Sequence, residues 1–145
     1  MADTKSGFSA DERAAMKQRA DEMRSTKGLK GAAKLAKEAE ACVEAIDALS
    51  GTDREVATAL HRIVIDEAPD LHHKTWYGFP SYARDGKVVV FYQPAAKFGA
   101  RYGTVGFQED AHLDDGEMWA TSFAVIEVTA AVEKKLRALV KKAAG

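Results

Sequence analysis

The pair Asp85-Gly86 constrains this chain more than any other feature. Both residues tolerate positive φ, which a two-residue type I′ turn requires at both central positions. The flanks are extended in character: Ser81-Tyr-Ala-Arg84 before the turn and Lys87-Val-Val-Val-Phe-Tyr-Gln93 after it. A β-hairpin is therefore expected here, its second arm apolar throughout, central in a sheet and covered on both faces. Pro94 ends that arm. Upstream, Lys74–Ala83 reads as a strand, a kink at Gly78–Pro80 and a second short strand. Downstream, Arg101–Phe107 and Met118–Val128 supply two more strands, separated by an acidic loop over Gln108–Glu117. Ala95–Ala100 is a connection or a short helical turn.

Before His73 the apolar period is helical. Ser9-Ala-Asp-Glu12 is a capping box, in which hydroxyl and carboxylate each bond the other residue's backbone N–H. It opens a helix to about Thr26, with only Met16, Ala20 and Met23 on its apolar face. Leu35, Ala39, Cys42, Ile46 and Leu49 form a narrow seam on a second helix, ended by Ser50-Gly51. Thr52-Asp-Arg-Glu55 reads as a second box. It starts a helix that buries Val56, Leu60, Ile63 and Val64 and closes at Ala68-Pro69, because a residue before proline avoids the helical region. Thr129 caps a last helix with Val132, Leu136, Leu139 and Val140 as its stripe. Three helices, about five hairpin-linked strands and a helix define an α+β fold, a mainly antiparallel sheet packed against helices. The expected division is a helical extension over 1–50 and an α+β domain over 51–145.

The 145 residues suit one core. A formal net charge of −1 argues against nucleic acid and polybasic membrane binding. That total hides a distribution: residues 51–128 hold seven basic and twelve acidic side chains, whereas 129–145 hold five basic and one acidic. One cysteine, Cys42, excludes an internal disulfide and reads as a buried, inert thiol. The polar start Met1–Gly7 has no apolar stretch behind it, and no long apolar run follows. A cytoplasmic location is the expectation.

No phosphate loop, nucleophile elbow or His-x-x-x-His pair occurs, and no acid–base dyad can be read from the spacing. Two features carry chemistry. Six aromatics fall between Trp76 and Tyr92, and Tyr102, Phe107 and Trp119 follow. They are core, or else Trp76, Phe79, Tyr82, Tyr92 and Trp119 line a ligand-binding face around Gly78. The second feature is the carboxylates Glu109, Asp110, Asp114, Asp115 and Glu117, with Asp66, Glu67 and Asp70 as a smaller cluster. They form solvated acidic segments or hold a hard cation weakly.

Trp76-Tyr-Gly-Phe-Pro-Ser-Tyr82, Asp85-Gly-Lys-Val-Val-Val-Phe-Tyr92 and Leu113-Asp-Asp-Gly-Glu-Met-Trp119 together resemble the YdhG-like domain. So does Thr121-Ser-Phe-Ala124 ahead of the Thr129 helix start. This is a widespread bacterial family of unknown function, and the match spans about residues 53–143. Phe8–Lys17 is similar to the N-terminal extension of actinobacterial-type members. The resemblance implies an α+β fold and a frataxin-like iron-chaperone role. Iron would be held weakly on surface carboxylates and passed to iron–sulfur assembly or haem-synthesis proteins. The first helix is mixed in charge, so the iron ligands fall to the Glu109–Glu117 loop, with Asp66–Asp70 second. The alternative is a non-catalytic small-molecule or peptide-binding module using the aromatic face. The sparsely apolar first helix is in either case a candidate homodimer contact.

Overall fold

The computed structural model describes residues 8–145; the polar start Met1–Gly7 lies outside the described residues. Helices α1 (Ala10–Ser25), α2 (Gly31–Asp47) and α3 (Gly51–Glu67) come first. Strands β1 (His72–Trp76), β2 (Phe79–Arg84), β3 (Lys87–Gln93), β4 (Gly103–Phe107) and β5 (Ser122–Val125) follow, and α4 (Ala130–Ala144) ends the chain. The strands form one antiparallel meander in sequence order. The α+β expectation is thus met: the described residues form four α-helices and a five-stranded sheet.

Asp85 (φ 51°) and Gly86 (φ 82°) make the expected turn between β2 and β3. The Gly78 region differs from expectation. It is no kink but a second two-residue turn, with Tyr77 at φ 54° and Gly78 at φ 83°, so that Trp76 faces Phe79 across the hairpin. Pro80 is tolerated in β2 because the β2–β3 ladder begins one residue later, at Ser81 and Phe91.

Alternation along the strands sends Tyr82, Val90, Tyr92, Val105 and Val125 toward α2, α3 and α4. There they meet Cys42 and Ile46 of α2, Val56, Leu60, Ile63 and Val64 of α3, and Leu136 and Val140 of α4. Each aliphatic side chain fully withdrawn from water here contributes about 1.5–3 kcal/mol. Cys42 and Ile46 of α2 thus share one core with residues of 51–145. The α2 seam is shorter than its spacing suggests: Leu35 stays exposed and Leu49 packs from beyond the helix end.

Two ends differ from the sequence reading. β5 covers Ser122–Val125 rather than Met118–Val128. Its pairing partner β4 offers only Gly103–Gly106, so no ladder remains for Met118, Trp119 or Ile126, all of which are exposed. The Thr52–Glu55 box does not form either, because α3 starts after Ser50 without a side-chain cap bond. Asp53 instead turns inward, only 7% exposed, and its carboxylate accepts three hydrogen bonds. The donors are the Tyr92 hydroxyl (2.6 Å), the Ala95 N–H (2.8 Å) and the Ala96 N–H (3.0 Å). Gly103 leaves the room that the Tyr92 ring needs, since a Cβ there would overlap its hydroxyl end.

Asp53→Ala should lower unfolding free energy by about 3 kcal/mol, because it strands a buried hydroxyl and two N–H groups. Asp53→Asn should cost less, and urea denaturation compares the two.

Candidate functional site

The face of the sheet turned away from α2–α4 carries aromatic rings. Phe91 alternates with Val90 and Tyr92 and so points to this outer side. Its ring meets Trp76 at 5.3 Å and Phe79 at 5.5 Å between centroids. Tyr77 and Phe98 extend the cluster through Phe79. Gly106, paired with Phe91 on β4, has no side chain in the way, and a Cβ there would overlap the Phe91 ring. Between these rings and the start of α1 lies an open groove of about 340 Å³, with Glu12, Ala15 and Met16 on its helix side and Gln93 and Gln108 as further polar members. That volume sits at the small end of ligand pockets.

Helix α1 is placed by polar groups. Its capping box forms as expected, with Glu12 N–H to Ser9 Oγ at 3.1 Å and Ser9 N–H to Glu12 Oε1 at 2.8 Å. The apolar face read from the sequence does not dock: Met16, Ala20 and Met23 are exposed, and Ala15 is the one buried residue of the helix. Glu22 carries the contact instead. Its carboxylate accepts the Tyr77 N–H at 3.1 Å and the Gly78 N–H at 2.6 Å, one on each oxygen. Two successive left-handed residues aim their N–H groups the same way, which makes an anion-binding nest. Holding a tyrosine at φ 54° costs about 1–2 kcal/mol. Arg19 adds an ion pair to Glu22 at 3.4 Å. The Lys97 ammonium bonds Gln18 and reaches the space beside Gly78. Burial pulls the Lys97 pKa down, and Glu22 pushes it back up.

The five aromatics read as one face are divided by the structure. Trp76 and Phe79 lie in the outer cluster. Tyr82 and Tyr92 point the other way into the core, with no exposed surface. Trp119 lies apart, in a hollow of about 490 Å³ beside the acidic loop, which it shares with Glu109, Asp114 and Glu117. Asp110 and Asp115 do not line that hollow. Among the described residues no three His, Cys, Asp or Glu side chains are grouped to hold a metal ion. Asp66 and Glu67 are taken by the Arg137 guanidinium, at 2.9 Å and 3.2 Å. Tyr77, Phe91, Phe98 and Glu22 are site members that the sequence reading missed. The Tyr77-Gly78 dipeptide was the available signal for the turn, but nothing local pairs it with Glu22, 55 residues earlier.

On the core side, Tyr82 anchors a second polar group. Its hydroxyl lies 2.9 Å from His61 Nδ1, and the His73 ring stands 4.7 Å from that of His61. Burial pushes the Cys42 thiol up to about 11, which fits an inert thiol. Burial also lowers the pKa values of His61, His73 and His72 from 6.5, while Glu38 opposes the shift at His72.

No family model, curated protein or solved structure matches the chain. The resemblance to YdhG-like domains rests on the motifs alone.

The histidines predict a pH dependence. A base whose folded pKa lies below its unfolded value favours the folded state while neutral. Stability should therefore be full above pH 6.5 and fall with acidification below it, until the folded pKa values are passed. The urea midpoint should drop between pH 7 and pH 5, and the His61→Gln/His73→Gln double variant should flatten that slope.

Proposed function

We propose that this chain is a non-catalytic binding protein that takes a small, mainly apolar aromatic molecule into the outer groove. One observation carries the reading: five rings (Trp76, Tyr77, Phe79, Phe91, Phe98) gather on a sheet face whose helical cover, α1, buries only Ala15. A face meant only for structure would be covered by an apolar helix stripe, as α3 covers the opposite side. Edge-to-face ring geometry gives an aromatic guest about 0.5–1.5 kcal/mol per ring pair beyond area burial. Gln93 and Gln108 supply hydrogen bonds at the rim.

A neutral probe of suitable size is 3-phenylpropanol. At about −0.5 kcal/mol per heavy atom its Kd should be submillimolar. In a Trp119→Phe background, Trp76 fluorescence should saturate with the probe. Phe91→Ala should weaken binding at least tenfold with the core intact, and a linear, non-saturating response would refute the groove.

A second reading is weak ferrous-ion carriage for iron–sulfur assembly or haem-synthesis proteins, for which Glu109, Asp114 and Glu117 line the hollow beside Trp119 without being gathered into a metal-holding group. Anaerobic calorimetry with Fe²⁺ tests it. Binding heat should appear with the unaltered protein and vanish in the Asp114→Ala/Asp115→Ala/Glu117→Ala variant; an absence of heat in both removes the reading.

A further inference from the structure

We propose that the Tyr77–Gly78 turn is a carboxylate seat, that Glu22 occupies it when α1 is closed, and that the groove's ligand is an aryl-alkyl monocarboxylate that takes Glu22's place. This rests on the groove reading above and adds the ligand's charged end. Three observations carry it. First, the seat is built for a carboxylate: the N–H groups of Tyr77 and Gly78 each meet a different oxygen of Glu22, at 3.1 Å and 2.6 Å. Second, two cations lie at the seat, Arg19 paired with Glu22 and the Lys97 ammonium beside Gly78, and the one acidic member of the adjoining groove is Glu12, on the helix that moves. Third, seat and groove are continuous, because Tyr77 donates the N–H to the seat while its ring lines the groove. A ligand with an aromatic body among Trp76, Phe79 and Phe91 can therefore place a carboxylate on the turn only by displacing Glu22.

The closed form is easy to open. Glu22 is part of a helix whose one buried residue is Ala15, while Met16, at the groove, and Met23 stay exposed. The hydrogen bonds that join α1 to the Tyr77–Gly78 turn and to Lys97 run through Glu22 and Gln18, and a ligand carboxylate can replace those of Glu22. Segments with few buried apolar contacts are the ones that open locally in native proteins. Because Glu22 competes from within the chain, its removal should strengthen carboxylate binding rather than weaken it.

The test compares 3-phenylpropionate with 3-phenylpropanol, which share one body and differ at the charged end. Both are titrated by calorimetry into the unaltered full chain, Glu22→Ala and Lys97→Gln. Circular dichroism and urea midpoints confirm that each variant is folded. The expected result is a carboxylate preference of at least tenfold in Glu22→Ala. Propionate should bind that variant about tenfold more tightly than the unaltered protein, and propanol should bind both equally. Lys97→Gln should weaken propionate alone. Saturating propionate, but not propanol, should speed hydrogen exchange across α1. Equal binding of the two probes, or propionate affinity unmoved by Glu22→Ala, overturns the seat while leaving the groove standing. Failure of both probes to bind any variant overturns the groove and the seat together.

Discussion

An antiparallel meander of five strands has two faces to cover, and this chain has unequal means for covering them. Helices α2, α3 and α4 carry its long apolar side chains, and all three pack on one face, where Tyr82, Tyr92 and the valines of β3 and β4 receive them. Among the described helices, α1 alone remains for the other face. It is polar on most positions and short of large buried groups. Phe91 and Trp76 on the outer face thus stay half-covered, over a buried Phe79, and a groove is left between them and the helix. Most of what distinguishes this molecule follows from that imbalance.

The well-covered face is held in register by one buried carboxylate. Asp53 sits in the first turn of α3, where the positive end of the helix dipole favours a negative charge. From there it grips the Tyr92 hydroxyl on β3 and the two N–H groups that follow Pro94. This ties the helix start to the end of the central strand, so the helix layer cannot slide along the sheet without stranding three donors. Burial and the Asp53 contact push the Tyr92 pKa up, so the hydroxyl remains a donor. Glu22 repeats the device on the other face, with one carboxylate on two adjacent N–H groups. The two differ in surroundings. Asp53 is buried beneath the Tyr92 hydroxyl and the Ala95–Ala96 backbone, whereas Glu22 is half-buried on a helix whose one buried residue is Ala15. The first is structural for that reason, and the second is exchangeable.

Periodicity and capping made the layout of this fold legible. The Ser9–Glu12 box, the Asp85-Gly86 turn, the proline stop after α3 and the Thr129 cap all depend on residues within four positions of each other. Such signals survive without knowledge of the tertiary structure. The site was far less legible, for reasons of the same kind. Which face an aromatic takes depends on strand register, and register places Tyr82 and Tyr92 inside while Trp76, Phe79 and Phe91 go outside. A bulge between Tyr82 and Ala83 shifts that register, and no residue type announces it. A last strand starting at Met118 would put Trp119 on the sheet with them, but the short β4 cannot pair so long a strand.

The Tyr77-Gly78 turn shows where local and global preferences part. A tyrosine has no intrinsic reason to adopt φ 54°, and asparagine or aspartate would reach it at lower cost. Backbone strain of this kind persists only when the surroundings over-determine it. Here the surroundings supply two things: a ring contact with Phe79 and Trp76, and an anion on the exposed N–H pair. Asparagine would keep the turn and the seat but lose the ring that joins the seat to the groove. The strained tyrosine is the residue that makes one continuous surface from a carboxylate-binding turn and an aromatic floor. Its cost is physically intelligible if both halves are used by the same ligand.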